Sequence, residues 1–148
     1  MTLRNATIED LPQLSECARE FYASSRVLKT FDIDRFCETW TRFLYSEMGV
    51  IFLLVEGEEI LGTIGGVAYM EPYSQEMIAQ EFWWYVLKES RGAGVRLYRA
   101  FEEWATERGC SRLRMGHLVD SMPEKVAHFY ERIGLQREEV VYSKSLVA

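Results

Sequence analysis

Three apolar segments of strand length follow one another in the middle of the chain: VIFLLV (50–55), ILGTIGGVAY (60–69) and IAQEFWWYVL (78–87). The first has no polar residue at alternating positions. Such a run is expected where a strand is buried on both faces. The polar turn EGEE (56–59) is short enough to make the first two segments a hairpin. The result is an antiparallel meander that needs helices on both faces to cover it.

The flanking sequence supplies them. Residues 2–6 read as a short first strand. Thr7 then caps a helix, with Asp10 three residues on and Pro12 in the first turn. Leu11, Leu14, Ala18 and Phe21 follow helical spacing. A second helix is expected from Asp32 or Asp34, with Phe36, Trp40, Phe43 and Leu44 on its apolar face and Gly49 ending it. Gly65 and Gly66 mark a bulge or a close backbone approach within the second strand.

After the third apolar segment, Leu97, Tyr98, Phe101, Trp104 and Ala105 form a helical stripe that stops at Gly109. SRLRMGHL (111–118) alternates as a strand, with Leu113, Met115 and His117 on one side and a solvated Arg112 and Arg114 on the other. Asp120 or Ser121 is expected to cap a last helix bearing Val126, Phe129, Tyr130 and Ile133, ended by Gly134. REEVVYSKSL (137–146) has the period of a terminal strand. The order is β-α-α-β-β-β-α-β-α-β, and at 148 residues one domain, 1–148, is expected.

Composition narrows the function. The formal net charge is −6, which opposes nucleic-acid binding because phosphate neutralisation supplies most non-specific affinity. The apolar runs are too short to span a membrane, and the N-terminal residues carry no apolar signal segment. A cytoplasmic location is therefore expected. Cys17, Cys37 and Cys110 are too widely spaced for a zinc or disulfide framework and read as buried free thiols. His117 and His128 offer no metal constellation.

The segment KESRGAGVR (88–96) joins the aromatic strand to the third helix. The first amides of a helix lack partners within it and, with the macrodipole, attract an anion. Glycines let a phosphate approach the backbone, and Arg91 and Arg96 add charge. No Lys-Ser or Lys-Thr follows as in a nucleotide P-loop. Leu97 stands where a dinucleotide fingerprint needs its third glycine.

Arg91, Gly92, Ala93, Gly94, Val95 and Arg96 resemble the signature [Q/R]-x-x-G-x-[G/A] of the GNAT superfamily of N-acetyltransferases, with Arg96 departing at the last position. The lead-in YVLKESRG resembles the family's V-x-P-x-x-R-G, with Lys88 in place of proline. AHFYERIGL (127–135) resembles its A-x-x-F-Y-E-K-x-G-F segment, although Pro123 stands where an asparagine is common. The resemblance implies an α/β (α+β) fold with a mixed, mainly antiparallel central sheet of about six to seven strands and about four helices. It also implies acetyl-CoA as co-substrate, no metal, and direct transfer to a primary amine of a small molecule or protein.

On this resemblance the amides of residues 91–96 hold pyrophosphate, and Val86, Leu87 and Lys88 offer backbone contacts to the pantetheine arm. Tyr130 protonates the departing thiolate. A phenol stays protonated at neutral pH and can donate a proton. Glu81 is the first candidate for general base, on the strand face of Trp83 and Tyr85. The family register falls one residue earlier, on Gln80, so this role requires a bulge. His117 is the second candidate. Against these stand plainer roles: Glu81 as a solvated strand charge, His117 and His128 as structural or surface groups, and a non-catalytic acyl-CoA-binding or interaction module on the same fold. A free sheet edge also allows a homodimer.

Overall fold

The computed structural model describes residues 1–26 and 30–147. The chain divides into two compact units, Met1–Gly116 and His117–Ala148. The first contains β1 (Thr2–Asn5), a 3₁₀ turn (Ile8–Asp10), α1 (Leu11–Ser24), α2 (Ile33–Ser46), β2 (Gly49–Glu56) and β3 (Glu59–Met70). It continues through β4 (Met77–Val86), a second 3₁₀ turn (Lys88–Ala93), α3 (Gly94–Glu107) and β5 (Arg112–Arg114). The five strands form one sheet in the order β1-β2-β3-β4-β5. The first four run antiparallel and β5 runs parallel to β4.

The all-apolar run of β2 has the expected cause. Its side chains alternate between two cores. Ile51, Leu53 and Val55 pack with Leu11 and Leu14 of α1 and Trp40 of α2. Val50, Phe52 and Leu54 pack with Leu97, Phe101 and Ala105 of α3. Neither face meets water, so neither set of positions tolerates a polar side chain.

Local chemistry sets the helix boundaries. The Thr7 amide donates to Asp10 Oδ2 at 2.8 Å, and Arg4 grips the same carboxylate with two 2.8 Å bonds. The Arg4 bonds lead in holding the Asp10 pKa down at about 2. Asp32 caps α2 by accepting from the Arg35 amide at 2.7 Å. Gly49 does not end α2. The helix stops at Ser46, and Glu47 takes the left-handed conformation (φ 57°). Gly49 instead opens β2, where a Cβ would lie 2.6 Å from Phe43 Cβ.

Gly65 and Gly66 mark both a close approach and an irregular ladder. Gly65 faces Trp83 and Gly66 faces Glu81, so Phe82 is an extra residue in β4. A Cβ on Gly65 would sit 2.3 Å from the Trp83 indole. One on Gly66 would sit 2.5 Å from the Gln80 carbonyl oxygen and 2.6 Å from the Phe101 ring.

The second unit contains α4 (Pro123–Arg132), and Gly134 follows in the left-handed region (φ 96°). Neither Asp120 nor Ser121 caps α4. Pro123 is its first residue and Met122 before it is left-handed (φ 45°). Proline disfavours right-handed helical backbone in the residue it follows, so the helix cannot extend further back. The expected terminal strand is not formed, and residues 135–147 are irregular. Among the described residues the sheet accordingly has five strands rather than six or seven. A strand exists only where a partner pairs its amides, and apolar alternation supplies no partner.

Gly66→Ala is expected to destabilise the protein by about 1–3 kcal/mol, because a backbone carbonyl and a packed ring must both give way. Gly92→Ala, where no atom lies within 4 Å of the new Cβ, is expected to stay within about 0.5 kcal/mol of the parent. Urea denaturation of the two variants checks the contrast.

Candidate active site

The bulge at Phe82 determines where every later side chain of β4 points. Ala79 and Trp84 both pack in the α3-side core although they are five residues apart. A regular strand would put them on opposite faces. Before the bulge, odd-numbered residues face α3; after it, even-numbered residues do. Glu81 therefore does not share a face with Trp83 and Tyr85. Trp83 packs against the α1–α2 core, 4.6 Å from the Trp40 ring. Tyr85 meets Phe21 of α1 edge to face at 5.6 Å.

Glu81 stands where two strands separate. β4 and β5 pair only at Ile78–Arg112, Ala79–Leu113 and Gln80–Arg114. Beyond Gln80 the ladder ends and the chains diverge. Across the opening, the Gly116 amide donates to Glu81 Oε2 at 3.0 Å. The Glu81 carboxyl is pushed up to about 7, because burial penalises its charge and the Gly116 bond only partly opposes that. It is thus not a freely solvated strand charge. The sequence signals Gly116 only as a glycine inside the alternating run 111–118.

From Glu81 onward the outer edge of β4 has no strand neighbour among the described residues. The Leu87 amide donates inward to Leu61 O at 2.8 Å, and its carbonyl accepts from the Ser90 amide at 2.9 Å. The backbone of Leu87 is therefore already used. Strand alternation turns the Val86 amide and carbonyl toward the open edge. Lys88 begins the 3₁₀ turn that carries Arg91, Gly92 and Ala93.

That turn gives the glycines two separate jobs, neither of them a left-handed backbone. Gly94, the first residue of α3, is buried, and a Cβ there would lie 3.0 Å from Val86 Cγ2. It lets the helix start tightly against β4. Gly92 is exposed with open space where its Cβ would be. No side chain caps the start of α3. Arg91 and Arg96 are exposed on either side, and Val95 is half-buried.

In the second unit, the Tyr130 ring is buried and lies 6.3 Å from the exposed His117 ring. His117 stands three residues beyond the end of β5, which is shorter than its alternation suggests. His128 is exposed. Arg112 and Arg114 are half-buried rather than solvated: Arg112 lies 3.5 Å from Glu71, and Arg114 donates to the Tyr69 hydroxyl at 3.4 Å. The three cysteines are free and half-buried. Among the described residues no three His, Cys, Asp or Glu side chains gather as metal ligands, and no helix is long and apolar enough to cross a membrane.

A concavity of about 400 Å³ lies at the opposite end of α3, lined by Glu9, Tyr45, Glu47, Trp104 and Arg108 among others. Its cation is engaged: Arg108 donates to the Glu47 carbonyl and lies 5.8 Å over the Trp104 ring. Size alone does not make it the reaction site: its carboxylates, Glu9 and Glu47, are exposed, and hydrogen bonding, led by Thr7, lowers the Glu9 pKa, which makes it a weaker base.

The family model for the acetyltransferase (GNAT) family matches residues 11–135. The chain belongs to the GNAT family. Solved GNAT-like folds resemble it along nearly their whole length. An aminoglycoside antibiotic 6′-N-acetyltransferase from Acinetobacter haemolyticus superposes with a TM-score of 0.74 at 17% identity, covering 100% of both chains. An aminoglycoside acetyltransferase from an uncultured soil metagenomic sample, in complex with sisomicin, gives 0.73 at 18% identity over 99% of this chain and 96% of that one. A transcriptional regulator from Bacillus halodurans C-125 gives 0.75 at 20% identity over 98% and 99%. A search of curated proteins returned no sequence match. At these identities the structures establish a shared fold, and the mixed sheet with four helices is that of the GNAT acetyltransferases.

The raised Glu81 pKa gives a pH signature. A carboxyl that ionises less readily when folded contributes most stability below its ordinary value of 4.5, and that contribution is lost as pH rises to about 7. Over that window, stability is expected to fall by on the order of 1–3 kcal/mol from this group. Glu81→Gln is expected to remove that component, and denaturant titrations across the window measure it.

Proposed function

We propose that this GNAT protein is an acetyl-CoA-dependent N-acyltransferase that moves an acetyl group directly to a primary amine of a small molecule or peptide. The observation that carries this reading is the open outer edge of β4, running from a carboxyl of raised pKa to an uncapped, glycine-bearing helix start. An extended amide-bearing arm can add to such an edge as a strand would. Gly92 leaves room for a phosphate, and no side chain occupies the helix start as a cap.

In this reading, the amides of residues 91–96 hold the pyrophosphate, with charge from Arg91 and Arg96. Val86 and Lys88 present backbone to the pantetheine arm, and the Leu87 side chain packs below. Acetyl-CoA supplies an acyl group already activated as a thioester. The acceptor amine must be neutral to attack. Glu81, poised near neutrality, is the group that takes its proton, directly or through water. His117 is the alternative base. Tyr130 donates a proton to the departing thiolate. The half-buried cysteines do not enter: burial raises the pKa values of Cys17 and Cys110, which opposes a thiolate nucleophile.

The competing reading, a non-catalytic acyl-CoA-binding module, needs neither acid nor base. Steady-state kinetics and calorimetry separate the two. Tyr130→Phe is expected to bind coenzyme A normally while kcat falls roughly 10- to 1,000-fold. Glu81→Gln is expected to lose the rise in rate with pH centred near 7. Gly92→Val is expected to fold normally yet bind coenzyme A at least about tenfold more weakly. Coenzyme A binding without turnover across a broad amine panel favours the binding module.

A further inference from the structure

Two polar side chains are buried among the described residues, Ser15 and Thr63. The Ser15 hydroxyl donates to Pro12 O at 2.6 Å, inside its own helix, and so ties no two elements together. Thr63 does. It lies in β3, and the Trp83 indole N–H of β4 donates to its hydroxyl at 3.2 Å. Thr63 stands opposite Tyr85, whereas Trp83 stands opposite Gly65. The bond therefore runs diagonally, from the ring that covers Gly65 to a hydroxyl two residues away along β3.

That diagonal distinguishes one register of β4 from the next. Phe82, Trp83 and Trp84 are consecutive, so apolar packing alone offers three rings to cover Gly65. A ladder without the bulge would keep Glu81 opposite Gly66 and bring Phe82 opposite Gly65. Phenylalanine has no donor, so the buried Thr63 hydroxyl would lose its diagonal partner. The bulged register places an indole there and supplies the donor. A buried polar contact is suited to this choice, because apolar groups fit either register.

The choice reaches the open edge of β4. In the observed ladder the Leu87 amide donates to Leu61 O, and alternation turns the Val86 backbone outward. Without the bulge, Val86 would stand opposite Leu61 with its amide and carbonyl turned inward onto β3. Each residue beyond Glu81 would also shift by one position, about 3.3 Å along β3.

We infer that Thr63 is a positioning residue for the acyl-transfer site: by accepting from Trp83 it holds the extra residue of β4 at Phe82, and so sets the spacing between the Glu81 carboxyl and the outward backbone of Val86. Thr63 acts through Trp83. The functional half of this inference rests on the proposed acyl transfer, whereas the register half does not.

Amide hydrogen exchange followed by NMR, with no cofactor present, tests the register in the parent, Thr63→Val, Thr63→Ser and Trp83→Phe. Tyr85 and Leu87 report on β4 after the bulge, and Ile78 and Gln80 before it; all four turn their amides toward β3. Thr63→Val and Trp83→Phe are each expected to speed exchange at Tyr85 and Leu87 by about tenfold, with Ile78 and Gln80 changing by less than about twofold. Thr63→Ser keeps the hydroxyl and is expected to stay within about threefold of the parent. The two disruptive changes combined are expected to add little to either alone, since both remove one bond. Coenzyme A affinity, measured by calorimetry, is expected to fall at least about threefold in Thr63→Val and to return in Thr63→Ser. Should Thr63→Val not fold, Trp83→Phe carries the same comparison. Equal acceleration on both sides of Phe82, no acceleration in either variant, or no rescue by serine overturns the inference. The expected exchange pattern with unchanged coenzyme A affinity overturns the positioning role. The same pattern in a parent that binds no coenzyme A supports the register assignment and overturns the acyl-transfer reading instead.

Discussion

The organisation of the site depends on one steric constraint in β3. Two successive glycines lie beneath large groups on opposite faces, Gly65 under the Trp83 indole and Gly66 under the Phe101 ring and against the Gln80 carbonyl. Between them the ladder with β4 slips by one residue and leaves Phe82 unpaired. The slip reverses which β4 side chains face α3. Glu81 thereby points with Ala79 into the α3 side, just where β5 parts from β4. Without the bulge, the same sequence would direct Trp84 and Val86 into the other core and leave Leu97 and Phe101 without their partners.

That arrangement fixes the energetics of the carboxyl. Burial raises the cost of its charge, and the Gly116 amide offsets part of it. A fully solvated glutamate would be too weak a base, and one bonded to several amides weaker still. A single donor at the mouth of a strand fork leaves the proton affinity near neutrality. The same feature lowers stability at neutral pH, which is the usual relation between a poised group and the fold that holds it.

Much of this was legible in the sequence, for physical reasons. The uninterrupted apolar run of β2 required two covered faces, and the helical stripes of α1, α2 and α3 supplied them. The paired glycines announced a close approach, because few other positions justify two missing side chains inside a strand. The glycine-bearing turn before α3 was visible as a break between two strong patterns. The bulge site was not legible, since FWWY is apolar at every position and no parity can be read from it. Strict alternation therefore places Glu81 on the face of Trp83 and Tyr85, which the bulge reverses. Nor was the end of the sheet legible: residues 137–146 alternate like a strand, but pairing depends on a partner that alternation cannot supply. Two good capping residues precede Pro123, but its constraint on Met122 overrides them and sets the start of α4.

The central claim is that the strand fork holds Glu81 with an elevated proton affinity. Carbon-13 NMR titration of the side-chain carboxyl, with Glu81→Gln assigning the resonance, measures this directly. The account predicts a midpoint of about 7, against 4.5 for an ordinary glutamate. A midpoint at the ordinary value would contradict it, leaving Glu81 a surface carboxylate and the fork without a base.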